Sequence, residues 1–304
     1  MRSLFYYRKE AAMELKHIAT RSGRLSTFLK QELGLSTGLM NKLKWSEKLF
    51  VNGIPRHADY PIEIGDVITA DLDEPEPEYP AEDGAFTIVY EDAHILAVDK
   101  PAGMLIHPSR SRLTGTLANR VLGYFQRTEQ KCAFHPITRL DRDTFGIVLL
   151  AKNAHIHGIL NQLHTEGKLQ KTYHALVFSG PEHDTGIIDA PIARRPLPSL
   201  LRYVCEEGKP SRTEFSVLER NGSITKLALR PITGRTHQLR VHCAHMGYPI
   251  LGDPQYGSEE SQRFSTELGF SSQLLCAKSL SFPHPVTGAQ MELFSELDVN
   301  KGSL

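Results

Sequence analysis

Three segments carry groups able to do chemistry. In the first, Arg139, Leu140, Asp141, Arg142 and Asp143 put two guanidinium groups and two carboxylates into five positions, directly before an apolar run from Phe145. A carboxylate at the mouth of a buried strand is costly unless it is paired, so Asp141 needs a cation or a task. A solvated surface turn is the plain alternative. The second segment, Lys171-Thr172-Tyr173, follows the polar turn Glu166-Gly167-Lys168 and opens another apolar run. Tyr173 there either faces a pocket or simply packs. The third runs from Pro231 to His242. Thr236 is placed to cap a helix whose buried face would hold Leu239, Cys243 and Met246. Arg240 lies roughly 100° around from Leu239, at the edge of that face. Arg235 stands at the helix start, where its charge opposes the helix dipole by a few tenths of a kcal/mol unless it meets an anion such as phosphate.

The elements that must position these groups are legible as periodicities. Strands are expected at 85–90, 94–99, 147–152, 172–178, 213–218, 224–230 and 290–294, and helices at 115–127, 153–166 and 236–246. There is no regular βαβ alternation, so the larger part of the chain reads as an α+β domain on a mixed, mostly antiparallel sheet.

Net charge over the 304 residues is zero, yet it is unevenly spread. Residues 1 to 56 hold eleven Lys and Arg against four Asp and Glu, whereas residues 57 to 92 hold twelve acidic residues and no Lys or Arg. The stretch 71–84, with three prolines, reads as a semi-stiff acidic linker. The chain is thereby divided into 1–72, a linker at 73–84, and 85–304. In the front piece Leu25, Phe28, Leu29 and Leu33 recur at helical spacing, Gly34 ends that helix, and Ser36 caps a second bearing Leu39 and Leu43. Phe50-Val51 and Asn52-Gly53 form a strand and a tight turn, and Pro61 to Thr69 a closing strand. Lys30, Lys42, Lys44, Lys48 and Arg56 rim it as a cationic face suited to a polyanion.

No run of about 18 apolar residues exists, so a membrane span is not expected. Early charge also interrupts the first residues too soon for a secretory signal, which leaves the cytoplasm as the expectation. The four cysteines (Cys132, Cys205, Cys243, Cys276) lie too far apart for a zinc ribbon and read as reduced thiols. Neither a Walker-A loop nor Gly-x-Gly-x-x-Gly occurs, and no cofactor or metal is expected.

Taken in order, Arg139-Leu140-Asp141 with Thr144 and Gly146, Lys171-Thr172-Tyr173, and the run from Thr233 to Arg240 resemble the three active-site motifs of the RluA family of pseudouridine synthases. The flanks Asp99 to Pro108, Gly247 to Pro254, and Leu275-Cys276-Ala277 leading to Phe282-Pro283-His284-Pro285 are similar as well. The chain departs from the family at Thr138, where His is usual, and at Phe145, where Ser or Thr is usual; neither must ionise for the chemistry. The front piece resembles an S-four-like RNA-binding module.

The resemblance implies an RNA-acting isomerase. Asp141 would be its essential carboxylate, acting as nucleophile at C1′ or as base at the 2′ position. Arg240 would pair with it, and Tyr173 would stack on the uracil. Arg139 would enter the space left by a flipped base, and Arg235, Lys42 and Lys44 would contact RNA. Ribosomal RNA is the expected partner, transfer RNA the second, and the protein a monomer.

Three other readings stay open at this level. Asp141-Arg142-Asp143 as a metal-binding turn of a transferase would show in divalent-metal dependence. A decayed, purely RNA-binding protein would lack turnover. Zinc at His155, His157 and His164 lacks a thiol or carboxylate in register.

Overall fold

The computed structural model describes residues 4–6, 14–33, 35, 37–44, 47–72, 79–109 and 112–301. Chain order begins with β1 (Leu4–Tyr6), β2 (Glu14–Ile18), β3 (Gly23–Arg24), α1 (Leu25–Gln31) and α2 (Thr37–Lys44). Next come β4 (Leu49–Val51), β5 (Ile54–Pro55), β6 (Pro61–Ile62) and β7 (Val67–Asp71). Leu25, Phe28, Leu29 and Leu33 are buried on one core with Met40 and Leu43, as their 3.6-residue period requires. Asn52 and Gly53 both take positive φ (52° and 77°), the conformation of the tightest hairpin turns, and join β4 to β5. The single strand expected over Pro61–Thr69 is instead two, because a turn at Glu63–Asp66, with Gly65 at φ 94°, breaks it. β6 pairs β3, and β7 pairs both β2 and β4. Gly34 and Ser36, read as helix stop and cap, lie outside the described residues.

The remaining chain builds a ten-stranded sheet among the described residues. Its elements are β8 (Thr87–Glu91), β9 (Ile95–Lys100), α3 (Leu117–Arg127), β10 (His135–Pro136), β11 (Phe145–Ala151), α4 (Ala154–Thr165) and β12 (Gln170–Phe178). They continue with β13 (Thr185–Asp189), β14 (Ile192–Arg194), β15 (Arg202–Val204), β16 (Arg212–Asn221), β17 (Ile224–Pro231), α5 (Gln238–His245), α6 (Glu259–Glu267), β18 (Leu275–Pro283) and β19 (Gln290–Phe294). The order β13-β16-β17-β12-β18-β11-β9-β8 is antiparallel throughout except where β11 lies parallel to β18. This is the mixed, mostly antiparallel α+β arrangement expected.

Strand periodicity explains the layers. In β9 and β11, Leu96, Val98, Val148 and Leu150 face a core shared with Leu117, Val121 and Phe125 of α3 and Leu239 and Cys243 of α5. The alternate residues Ile95, Ala97, Ile147 and Leu149 face Ile156 and Leu160 of α4. Burial on both faces is why these strands read as continuous apolar runs.

Several elements differ from expectation. β18 was visible only as a motif flank, yet it lies between β12 and β11 and joins the halves of the sheet. Within the expected linker, residues 73–78 lie outside the described residues. Residues 79–85 run along α3: Pro80 and Ala85 carbonyls accept from Asn119 and Arg120, and Asp83 pairs with Arg127. α5 begins at Gln238 rather than at a Thr236 cap. Its N-cap is His237, in left-handed conformation and without a side-chain cap bond. Met246, expected on the buried face, is instead the exposed C-cap residue. All four cysteines are free thiols, and no helix among the described residues is long and apolar enough to cross a membrane.

Candidate active site

A cleft of about 600 Å³ opens where four segments meet: the loop after β9, the loop before β11, the start of β12, and the turn between β17 and α5. Asp141, Tyr173, Arg240, Arg139 and Arg235 all line it, although they come from positions about 100 residues apart. Lys42 and Lys44 belong to α2, near its C-terminus, and are exposed.

Arg240 is held before it meets Asp141. Its Nε and Nη2 donate to Asp253 Oδ2 and Oδ1 at 2.7 and 2.8 Å, a bidentate pair, and Nη2 also donates to Gln255 Oε1 at 2.8 Å. The guanidinium lies 4.9 Å from the centre of the Tyr256 ring. With those groups occupied, Nη1 is left facing Asp141 Oδ2 at 3.2 Å. Burial works against the charge of Arg240, but hydrogen bonding and charge from Asp253, then Asp141, outweigh it and keep the guanidinium firmly protonated. Asp253 is fully buried and also accepts the backbone N–H groups of Gln255 and Tyr256. Two carboxylates thus share one guanidinium.

Asp143, the other carboxylate of the motif, is taken by Arg142 through Nε and Nη2 at 3.0 Å each. The two acids of the Asp-x-Asp turn therefore have separate cationic partners. Among the described residues no three His, Cys, Asp or Glu side chains gather in a metal-holding group, and His155, His157 and His164 are spread along α4.

Tyr173 is buried in the main core and also lines the cleft. Burial, and next the nearby charge of Asp141, push its phenol above the ordinary tyrosine value, so it stays protonated at neutral pH. Arg139 and Arg235 are exposed at the cleft, and Arg235 Nε donates to the Pro210 carbonyl at 3.2 Å. Gln238 ties the Thr233–Arg235 turn to β16. Its Oε1 accepts from Thr233 Oγ1 and Arg235 N, while its Nε2 donates to the Arg212 carbonyl and Thr213 Oγ1. At the departures from the family motif, Thr138 is buried and its hydroxyl accepts from Leu149 N at 3.0 Å, and Phe145 packs with Leu176, Leu251 and Cys276.

A match to the model of the RNA pseudouridylate synthase family spans residues 94–245, which hold Asp141, Tyr173 and Arg240 together. The chain belongs to the RNA pseudouridine synthase family. It is 34% identical over 276 residues to an RNA pseudouridine synthase of Bacillus subtilis, YjbO, covering 90% of this chain and 95% of that one. It is 31% identical over 290 residues to ribosomal large subunit pseudouridine synthase C of Vibrio cholerae, covering 91% and 90%. Among solved structures it is similar to human RNA pseudouridylate synthase domain containing 1, with TM-score 0.57, 28% identity, and 70% and 85% of the two chains covered. The synthase is thus an isomerase acting on RNA: the N1–C1′ bond of a uridine breaks, the base turns, and C5 joins C1′.

Sequence reasoning singled out residues that meet in this cleft and missed the groups that hold them. Asp253 and Lys100 stand in the sequence only within flanking motifs, although a buried acid in Gly252-Asp253-Pro254 needs a cation as much as Asp141 does. Lys100 Nζ is fully buried and donates to the carbonyls of Pro101, Met104 and Arg142, each at 2.9 Å. It thereby ties the loop after β9 to the residue following Asp141. His237 appears in the sequence only as a member of the third motif, and Tyr256 of the synthase has no signal of its own.

Proposed function

We propose that this synthase isomerises uridines of ribosomal RNA, with Asp141 as the carboxylate acting at the ribose. The observation that carries the reading is the 3.2 Å approach of Arg240 Nη1 to Asp141 Oδ2 inside a cleft also lined by Tyr173. A carboxylate paired with a fixed guanidinium stays ionised as water is excluded, which either attack at C1′ or removal of the 2′ proton requires. Tyr173 is the platform on which the uracil stacks. The target base must leave its helix or lie in an open loop to reach this depth. Arg139 occupies the vacated space and Arg235 meets backbone phosphate.

Residues 1–72 form an S-four-like RNA-binding module, 73–84 a linker, and 85–304 the catalytic domain. The module's exposed Lys42 and Lys44 supply phosphate contacts with little base preference. Large-subunit ribosomal RNA is favoured by the similarity to the large-subunit pseudouridine synthase of Vibrio cholerae, transfer RNA being the second candidate. The protein acts as a monomer in the cytoplasm.

Carbodiimide mapping of ribosomal and transfer RNA from a strain lacking the gene tests this directly. One or more pseudouridines should vanish from ribosomal RNA, return with the wild-type chain, and stay absent with Asp141→Asn of unchanged melting temperature. A complete set of pseudouridines in both RNA classes would refute the reading. A loss confined to transfer RNA would move the substrate.

A further inference from the structure

Asp141 has two oxygens with different surroundings. Oδ2 faces Arg240 Nη1 at 3.2 Å and His237 Nε2 at 3.8 Å. Oδ1 takes no hydrogen bond among the described residues.

His237 is an unusual residue for its position. It holds φ 58° and ψ 17°, the left-handed region that side chains with a Cβ avoid, and it is the N-cap of α5 without capping it. Gly would fill such a site with less strain, and Asn or Asp would also cap the helix. The imidazole is instead turned toward Tyr256, whose Oη lies 2.8 Å from Nδ1 and 5.6 Å ring to ring in edge-on contact. Tyr256 Oη also accepts the backbone N–H of Arg202 at 2.9 Å. With its oxygen already accepting from Arg202, the phenol is assigned as the donor to His237 Nδ1. The imidazole hydrogen then sits on Nε2, the nitrogen facing Asp141.

We propose that His237 is a positioning residue of the isomerisation: fixed by Tyr256, its ring borders Oδ2 of Asp141, with Nε2 3.8 Å from that oxygen, and leaves Oδ1 as the oxygen that meets the sugar. The inference rests on the reading of Asp141 as the reacting carboxylate. Tyr256 is the anchor, since its hydroxyl fixes the imidazole while its ring lies against the Arg240 guanidinium.

The protonation state matters because a neutral ring beside Oδ2 confines the carboxylate without neutralising it. Burial keeps His237 below the usual histidine value. The Arg240 and Arg202 charges add to that, and Asp141 and Asp253 oppose it. His237 is therefore neutral at pH 7. In acid it becomes an imidazolium that draws charge from Asp141, so turnover falls as pH drops below the ordinary histidine range.

The test uses the full-length protein and ribosomal RNA from the gene-deletion strain, labelled with tritium at uridine C5, whose release to water reports turnover. His237→Asn keeps a residue tolerant of left-handed backbone but removes the nitrogen facing Asp141. It should lower kcat by about threefold to tenfold, less than a full hydrogen bond to a charged group because Nε2 stands 3.8 Å from Oδ2, with KM within about twofold. It should also lose the acid limb of the pH profile, which lies below the ordinary histidine range. His237→Gln, which places an N–H near the position of Nε2, should recover part of kcat but not the acid limb. Tyr256→Phe should act in the same direction and not add to His237→Asn. A His237→Asn protein with wild-type kcat and an unchanged acid limb overturns the inference, provided Asp141→Asn is inactive. An active Asp141→Asn overturns the reading beneath it instead. Equal melting temperatures in wild type and variants separate positioning from folding.

Discussion

Lys100 carries the strongest electrostatic conflict at the level of single residues. Its ammonium is fully buried, its three hydrogens are spent on three carbonyls, and the carboxylates whose charge acts on it, Asp143 and Asp141, each have an arginine partner. Burial lowers its pKa to about 7 despite the opposing pull of those carboxylates. In the unfolded chain the same amine holds its proton up to about pH 10.5. Between these values the unfolded state binds more protons, so the stability of the fold rises with pH across that window. Wild-type unfolding free energy should therefore climb by a few kcal/mol from about pH 7 toward 10 relative to Lys100→Met, by denaturant titration at each pH. A difference between the two proteins that stays constant with pH would mean that Lys100 is buried without its charge being penalised.

Among the elements, the parallel seam between β11 and β18 holds the Asp141 loop in place. Gly146 stands opposite Ala277 at that seam with φ 106°, and a Cβ there would lie 2.4 Å from the Ala277 carbonyl oxygen. Only glycine lets the strands approach so closely while keeping that backbone. Gly146→Ala should cost about 3 kcal/mol or more, through backbone strain and strand separation, and lower the melting temperature by several degrees. Unaltered melting in a calorimeter would show that the seam can shift freely. The segment Thr144-Phe145-Gly146 is thus structural: Thr144 is buried and accepts from Gln273 Nε2 at 2.6 Å, and Gly146 sits at the seam. Asp141 and Gly146 are five residues apart, so the same loop that presents the carboxylate runs directly into the seam.

For the whole molecule, a reaction on a large polyanion divides into local chemistry and distributed grip. Lys42 and Lys44 lie exposed near the C-terminus of α2, far in sequence from the cleft residues. If each neutralises one phosphate, the Lys42→Ala/Lys44→Ala protein should bind ribosomal RNA more weakly. Its plot of log affinity against log salt should then be shallower by between about one and two units. Fluorescence anisotropy across a salt series reads that slope directly. An unchanged slope would remove both lysines from the RNA contact.

The residues show how much was open to inspection beforehand. Period and turn chemistry were enough for the buried face of α1, the Asn52-Gly53 turn, the alternation of β9 and β11, and the mixed sheet, because each depends on neighbours within a few positions. Motif order was enough to name Asp141, Tyr173 and Arg240, though not to say that Oδ2 rather than Oδ1 is the paired oxygen. The split of the 61–69 strand, the exposure of Met246 and the left-handed His237 were misread, because Asp66, His237 and the end of α5 answer to contacts that local pattern does not contain. Asp253, Gln255 and Tyr256 meet Arg240 across 13 to 16 residues, and Asp141 meets it across 99. Charges act through distance in space, and only the folded chain decides which of them stand within reach of one another.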